Sequence, residues 1–168
     1  MRAWRRTHLG TEADRATFRT LHQASLAAPA LRQGLTAESA ERSIKHLRSL
    51  LGTPALALTD TAGALAWDGM GAHHRDQAAA LMTATLDRGA TRVFDRGDLP
   101  CDEGSCPVRT AIAVPLVVEE RIVGTLQAFS PYSTAGLARA ADEVAQWVSG
   151  QLELAELDAS RTRAIEAE

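Results

Sequence analysis

Two neighbouring stretches in the C-terminal half of the chain carry its clearest β-strand pattern. Within residues 109–118, apolar side chains recur at every second position, as Ile112, Val114, Leu116 and Val118. A second apolar run follows over residues 121–129. Because strand side chains alternate between two faces, this period predicts strands rather than helices. The Glu119-Glu120 pair between the runs turns the chain, so the sequence predicts an antiparallel hairpin.

The rest of the pattern extends this hairpin into a mixed fold. A second predicted hairpin covers residues 55–60 and 64–68 with a tight turn at 60–63, and a short strand is predicted at 91–94. Helical spacing and capping residues predict four helices, at 11–28, 36–51, 73–88 and 135–165, with Pro29 ending the first. We therefore expect an α+β domain with one antiparallel sheet.

Composition excludes several classes of protein. The chain has 168 residues, a length that favours one domain. It has 18 basic against 21 acidic side chains and a net charge of -3, so it has no excess of positive charge to attract the phosphates of nucleic acid. The longest apolar runs, such as 111–118, are far shorter than the roughly 20 residues that cross a bilayer. No apolar stretch follows the basic first residues, so no secretory signal is evident. We expect a cytoplasmic chain that binds no nucleic acid and does not insert into a membrane.

The last predicted helix carries two apolar stripes. One stripe suits packing on the sheet and contains Leu137, Ala141, Val144, Val148 and Leu152. The other follows the three- and four-residue steps of a coiled coil and contains Trp147, Gly150, Leu154 and Leu157. Two stripes suggest two partners, so we expect Trp147, Leu154 and Leu157 to form the helix contact of a homodimer.

The two cysteines lie in a polar loop, at Cys101 and Cys106, with Gly104 and Ser105 between them. Two cysteines are too few for a disulfide framework. A four-residue spacer with a glycine can bend back, so the sulfur atoms could share a metal ion or form a reversible disulfide. Two unlinked loop thiols are the third reading. We identify no catalytic residue, because no nucleophile elbow, zinc-protease motif or phosphate loop is present.

The element order and several motifs resemble a known sensory fold. The order of helices and strands resembles the GAF fold, with an antiparallel sheet and the N-terminal and long C-terminal helices packed on one face. Residues 106–116 and 121–126, together with Leu56 to Asp60, Ala66-Trp67 and His73-His74, resemble the GAF domain of LytS-type bacterial sensor histidine kinases. Residues 151–157 are similar to the helix that leads into the kinase part of that family.

The resemblance implies where a ligand would bind. In the GAF fold the loop and helix after the second strand and the loop before the fifth strand line one pocket. The residues that the resemblance places at this pocket are Trp67, Asp68, Met70, His73, His74, Cys101 and Cys106. Two thiolates with one imidazole would suit a soft transition metal, with Cys101, Cys106 and His74 as the ligands. Adjacent helical residues point about 100° apart, so we expect only one of the two histidines to take part. The cofactor stays unknown, a transition metal or none.

The resemblance also implies a function. Residues 1–10 would be a tail, 11–150 the GAF domain and 151–168 a signalling helix leading to a kinase part that is missing here. The expected function is a regulatory sensor of a two-component kinase that detects a small ligand, a metal or a redox change. Its partners would be a second copy and the parent's catalytic domain, and the chain itself would not be an enzyme. The alternatives are a thiol-based redox enzyme on a GAF fold, or a pure dimerisation module.

Overall fold

The structure, a computed structural model, describes residues 11–167. The tail predicted at 1–10 lies outside the described residues. The elements in chain order are α1 (Glu12–Leu31), α2 (Ala37–Leu51), β1 (Ala55–Asp60), β2 (Ala64–Gly69), a 3-10 helix (Ala72–Gln77), α3 (Ala78–Arg88), β3 (Arg92–Phe94), a second 3-10 helix (Arg96–Asp98), β4 (Thr110–Val118), β5 (Arg121–Ser130) and α4 (Ala135–Ala167).

The five strands form one antiparallel sheet in the order β2-β1-β5-β4-β3. Strand β5 is the centre, and its Leu126 lies opposite both Leu58 of β1 and Val114 of β4. The turn between β4 and β5 is tight, with Glu119 and Glu120 both in the left-handed region at φ 50° and 65°. Both predicted hairpins and the α+β class are confirmed.

One face of the sheet carries large aliphatic side chains and is covered by α1, α2 and α4. Because side chains alternate along a strand, every second residue of β1, β4 and β5 points into this layer. The buried residues that the strands supply are Leu56, Leu58, Ala66, Ile112, Val114, Leu116, Val118, Leu126 and Ala128, and those that the helices supply include Leu31, Ile44, Leu47, Ala145, Val148 and Leu152. The N-terminal and C-terminal helices therefore pack on one face, as predicted.

The opposite face carries small side chains and is covered by α3 and by the chain between β3 and β4. Its buried apolar strand residues are four alanines and two phenylalanines: Ala55, Ala57, Ala111, Ala113, Phe94 and Phe129. Alanine adds little height above a sheet, so α3 and the loop can approach the backbone closely. Ala78 and Leu81 of α3, together with Leu99, Cys106 and Val108 of the loop, complete this second core.

Helix α1 continues past the predicted stop. It runs to Leu31 with Pro29 inside its last turn, whereas the sequence predicted an end before that proline. Proline removes only the backbone hydrogen bond that an N–H at position 29 would donate to the carbonyl of Ser25, so the loss is confined to the end of the helix. Ala27 and Leu31 are both completely buried, and their burial offsets the lost bond.

The helix predicted over 73–88 is two elements. Its first turn is the 3-10 helix Ala72–Gln77, and the α-helix begins only at Ala78. Gly71 has a left-handed backbone at φ 68°, and its carbonyl accepts a hydrogen bond from the backbone N–H of His74 at 2.9 Å. This three-residue spacing winds the chain more tightly than an α-helix and changes where the two histidines point.

Helix α4 is one continuous helix of 33 residues. Three of its buried residues, Ala141, Val148 and Leu152, belong to the stripe predicted to face the sheet; the fourth is Ala145, whereas the predicted Leu137 and Val144 are only partly buried. The domain boundary predicted at residue 150 falls within this helix and stays a prediction. Within residues 11–167, no helix combines the length and apolar character that a membrane span requires.

Candidate functional site: a thiol and imidazole cluster

Four side chains from two separate segments meet above the alanine face of the sheet. His73 and His74 come from the 3-10 helix, and Cys101 and Cys106 come from the loop before β4. One nitrogen or sulfur atom from each residue lies within 4.8 Å of all the others. We call these four residues the thiol–imidazole cluster.

Three contacts define the geometry of the cluster. His73 Nε2 lies 3.2 Å from Cys101 Sγ and 3.8 Å from Cys106 Sγ, and His74 Nε2 lies 3.5 Å from Cys106 Sγ. His74 is completely buried and Cys106 is 5% exposed, whereas His73 is on the surface and Cys101 is partly exposed. The cluster therefore has a buried half and an open half.

Gly71 brings the histidines to the cysteines. A Cβ atom at this position would lie 2.6 Å from Cγ2 of Val108 and 3.4 Å from Sγ of Cys106. Any other residue would meet both this contact and the strain of a left-handed backbone. Glycine thus permits the start of the 3-10 helix to pack directly on the loop that carries Cys106.

Arg109 holds the cysteine loop in shape. Its Nη2 donates to the carbonyl of Gly104 at 2.7 Å, and its Nε donates to the carbonyl of Cys106 at 3.4 Å. The backbone N–H of Cys106 donates to the carbonyl of Glu103 at 3.2 Å and closes a turn. The loop therefore bends back between the two cysteines. This bend lets both sulfur atoms face the two histidines.

The surroundings of Cys106 disfavour its thiolate. Burial raises the pKa of the Cys106 thiol, a hydrogen bond with the backbone of Val108 lowers it, and Cys101 and Glu103 raise it further. The net direction is upward, so the thiol is neutral at physiological pH when no cation is near. A bound metal cation reverses this preference, because it stabilises the thiolate directly.

The other three predicted pocket residues, Trp67, Asp68 and Met70, lie outside the cluster. Trp67 packs against Phe129 with ring centroids 4.6 Å apart, and its Nε1 donates to the carbonyl of Met70 at 3.3 Å. The Met70 side chain is 60% exposed. Asp68 pairs with Arg48 of α2 at 2.5 Å, so it faces the helical layer.

Both histidines reach the cysteines, which differs from the expectation that only one would. The 3-10 winding sets the two rings side by side, with centroids 4.3 Å apart. The sequence analysis missed Gln77. Gln77 stands three residues after His74, a spacing at which helical side chains meet, and this is the signal that could have revealed it.

Comparisons with known proteins identify sequence relatives of this chain. The chain is 30% identical over 151 residues to the sensor protein LytS of Bacillus subtilis, and 29% identical over 138 residues to the sensor histidine kinase/phosphatase LytS of Staphylococcus aureus. These matches cover 84% and 77% of this chain, but only 25% and 24% of the relatives. The chain thus spans about a quarter of the length of the curated relatives it matches. No protein-family model matches it.

Solved structures show the same fold. The nlh2 GAF domain of A. aeolicus superposes with a TM-score of 0.58 at 16% identity, covering 83% of this chain and 98% of that one. The free methionine-R-sulfoxide reductase of Neisseria meningitidis gives 0.59 at 18%, covering 89% and 95%. The GAF domain of a predicted sensor histidine kinase from Pseudomonas syringae gives 0.57 at 12%, covering 93% and 97%.

The chain therefore has the GAF fold, with one five-stranded antiparallel sheet between helices. Its particular relatives are the LytS sensor histidine kinases, to one segment of which its sequence is homologous. The resemblance seen in the motifs is confirmed.

Gly71→Ala tests the contact that assembles the cluster. We expect it to lower the free energy of unfolding by more than the roughly 1 kcal/mol that a left-handed alanine costs, because the new methyl group strikes Val108. Cys106 should also react faster with iodoacetamide in metal-free protein. Urea titration and peptide mass spectrometry measure the two effects.

Gly89→Ala is the matched control. Gly89 has nearly the same φ, +70° against +68°, but its Cβ would meet no atom within 4 Å. In this variant the free energy of unfolding should fall only by the cost of a left-handed alanine, and Cys106 should react with iodoacetamide as in the wild type. Equal destabilisation and equal labelling of the two variants would contradict the account of the Gly71 contact.

Proposed function

We propose that this GAF domain is the regulatory sensor of a two-component histidine kinase, and that the thiol–imidazole cluster is its sensing site. The observation that carries the proposal is the convergence of His73, His74, Cys101 and Cys106 to within 4.8 Å. Four soft or borderline donors at this spacing suit a transition metal such as Zn²⁺. Homology to the LytS kinases supports the regulatory role.

The distances support a tetrahedral metal site. With Zn–S near 2.3 Å and Zn–N near 2.0 Å, tetrahedral geometry separates a nitrogen from a sulfur by about 3.5 Å. The three nitrogen–sulfur contacts of the cluster measure 3.2, 3.5 and 3.8 Å. A zinc ion therefore needs only small shifts of these side chains to bind all four. His73 thus joins the predicted ligands Cys101, Cys106 and His74.

A signal from the cluster has a short path to the C-terminal helix. Cys106 and Val108 lie just before β4, and β4 runs along α4 in the helical layer. The backbone N–H of Val117 donates to Oγ of Ser149 at 2.9 Å, and the backbone N–H of Glu119 donates to Glu153 at 3.4 Å. A metal that fixes the cysteine loop would bias the position of β4 against α4, which is what a two-state output requires.

Helix α4 would pass this bias on through a second copy of the chain. The helix is about 50 Å long at 1.5 Å per residue. Leu154 and Leu157 are 39% and 51% exposed, and Trp147 is only partly covered by the core. A second copy packed on the Trp147, Leu154 and Leu157 stripe would bury this apolar surface.

A thiol redox switch is the second candidate. Cys101 is partly exposed and its sulfur lies within 4.8 Å of the Cys106 sulfur, so a modest loop shift could join them. The free methionine-R-sulfoxide reductase among the structural neighbours shows that the fold carries a redox enzyme, although that likeness concerns the fold alone. Formation of a Cys101–Cys106 disulfide in metal-free protein would favour this candidate.

Metal binding tests the sensing site. Reduced protein titrated with Zn²⁺ should bind one ion per chain, and Co²⁺ should give the absorption bands of thiolate coordination. Cys106→Ser and His74→Ala should each weaken Zn²⁺ binding by at least about 100-fold, because each removes a direct ligand. His22→Ala, which removes an exposed histidine on α1, is the control and should bind as the wild type does.

Two results would contradict the metal proposal. One is the absence of saturable Zn²⁺ binding by the reduced wild type. The other is binding that survives both ligand substitutions. If mild peroxide treatment of metal-free protein instead removes both thiols together, the redox switch takes the place of the metal site.

The dimer is tested by Leu154→Glu combined with Leu157→Glu. Buried carboxylates in an apolar stripe are costly, so we expect the dissociation constant of the dimer to rise at least tenfold. Analytical ultracentrifugation measures the change, and circular dichroism checks that the helix is retained. Thr162→Glu, an exposed position outside the stripe, is the matched control. A monomeric wild type, or a double variant that dimerises as the wild type does, would overturn the proposed interface.

A further inference from the structure

We propose that Gln77 is the positioning residue of the thiol–imidazole cluster. Its side-chain amide orients His74 and also ties the 3-10 helix to the loop that carries the cysteines. This inference rests on the proposed metal site, and it names the residue that prepares the site for a metal such as Zn²⁺.

Gln77 makes two hydrogen bonds that fix its own orientation. Its Nε2 donates to the carbonyl of Pro100 at 3.1 Å, and its Oε1 lies 2.6 Å from Nδ1 of His74. A backbone carbonyl accepts hydrogen bonds only, so the amide nitrogen must face Pro100 and the oxygen must face His74. Because Oε1 is an acceptor, Nδ1 of His74 must be the donor.

This contact selects one tautomer of His74. With the proton on Nδ1, Nε2 carries a free lone pair, and Nε2 is the atom that faces Cys106 at 3.5 Å. His74 is completely buried, so water does not compete for Nδ1. The ring is thereby prepared to bind a metal through Nε2. Outer-shell partners of metal-bound histidines act in this way.

The second bond of Gln77 joins the two ligand-bearing segments. Pro100 immediately precedes Cys101, and Gln77 closes the 3-10 helix that carries both histidines. One side chain thus holds together the two halves of the cluster before a metal arrives. Such preorganisation lowers the cost of ordering the ligands on binding.

His73 differs from His74 in exposure and in partner. It is exposed, and its Nε2 faces the partly exposed Cys101 at 3.2 Å. The cluster therefore pairs a fixed, buried half, made of His74 and Cys106, with an open half that a metal can enter and leave.

Two substitutions separate the two bonds. Gln77→Met has a similar length but makes neither bond, whereas Gln77→Glu keeps an acceptor for His74 and loses the donor to Pro100. We expect Gln77→Met to weaken Zn²⁺ binding about 10- to 100-fold. Gln77→Glu should recover most of this loss. Competition with a chromophoric chelator measures the affinities.

Nitrogen-15 NMR of the histidine rings provides a readout that loss of stability alone would not move. In metal-free wild type and Gln77→Glu, His74 should carry its proton on Nδ1. In Gln77→Met the protonated nitrogen should shift at least partly to Nε2. Gln146→Met, the same substitution at an exposed glutamine on α4, is the control and should leave tautomer and affinity unchanged.

The outcomes distinguish this inference from the metal proposal. If wild type binds Zn²⁺ and Gln77→Met shows the same affinity and the same His74 tautomer, the role of Gln77 is overturned and the metal site stands. If wild type does not bind Zn²⁺, the metal site is overturned, and the tautomer spectra alone decide whether Gln77 orients His74.

Discussion

Strand β5 pairs with β1 on one side and β4 on the other, and this double pairing joins two hairpins into one sheet. The pairing is close: a Cβ atom at Gly124 would lie 1.9 Å from the carbonyl oxygen of Thr59. One face of the sheet carries large aliphatic side chains and packs against three helices. The other face carries mainly alanines and packs against α3 and the loop that holds Cys101 and Cys106. Because the alanine side chains are small, the loop and the 3-10 helix can lie close to the sheet and contact each other there.

The position of the cluster follows from this arrangement. Its two segments enter from opposite sides of the alanine face, and short contacts at Gly71, Gln77 and Arg109 hold them there. The cluster lies at the start of β4, a strand whose other face packs on α4. A ligand on one side of the sheet therefore acts on a strand that the output helix also contacts. This shared strand is the physical basis of the proposed signal.

Much of the fold could be predicted from the sequence, because period-two runs and short turns depend on local residues. The motifs at 106–116 and 121–126 also identified the family. The site was harder, since it depends on contacts between distant segments. Asp68 was placed in the pocket by its position in the chain, but strand alternation turns it toward Arg48, opposite to Trp67. His73 and His74 both reach the cysteines because they lie in a 3-10 helix. The alanine and leucine content of residues 73–88 predicted an α-helix there and did not reveal this tighter winding.

In the proposed sensing site, two thiolates and two imidazoles of this domain bind one metal ion. X-ray absorption spectroscopy of the zinc-loaded protein tests it directly, because it counts sulfur and nitrogen neighbours and measures their distances. We expect two sulfur atoms near 2.3 Å and two nitrogen atoms near 2.0 Å. A shell of oxygen and nitrogen atoms without sulfur would show that the ion binds elsewhere and would overturn the proposed metal site.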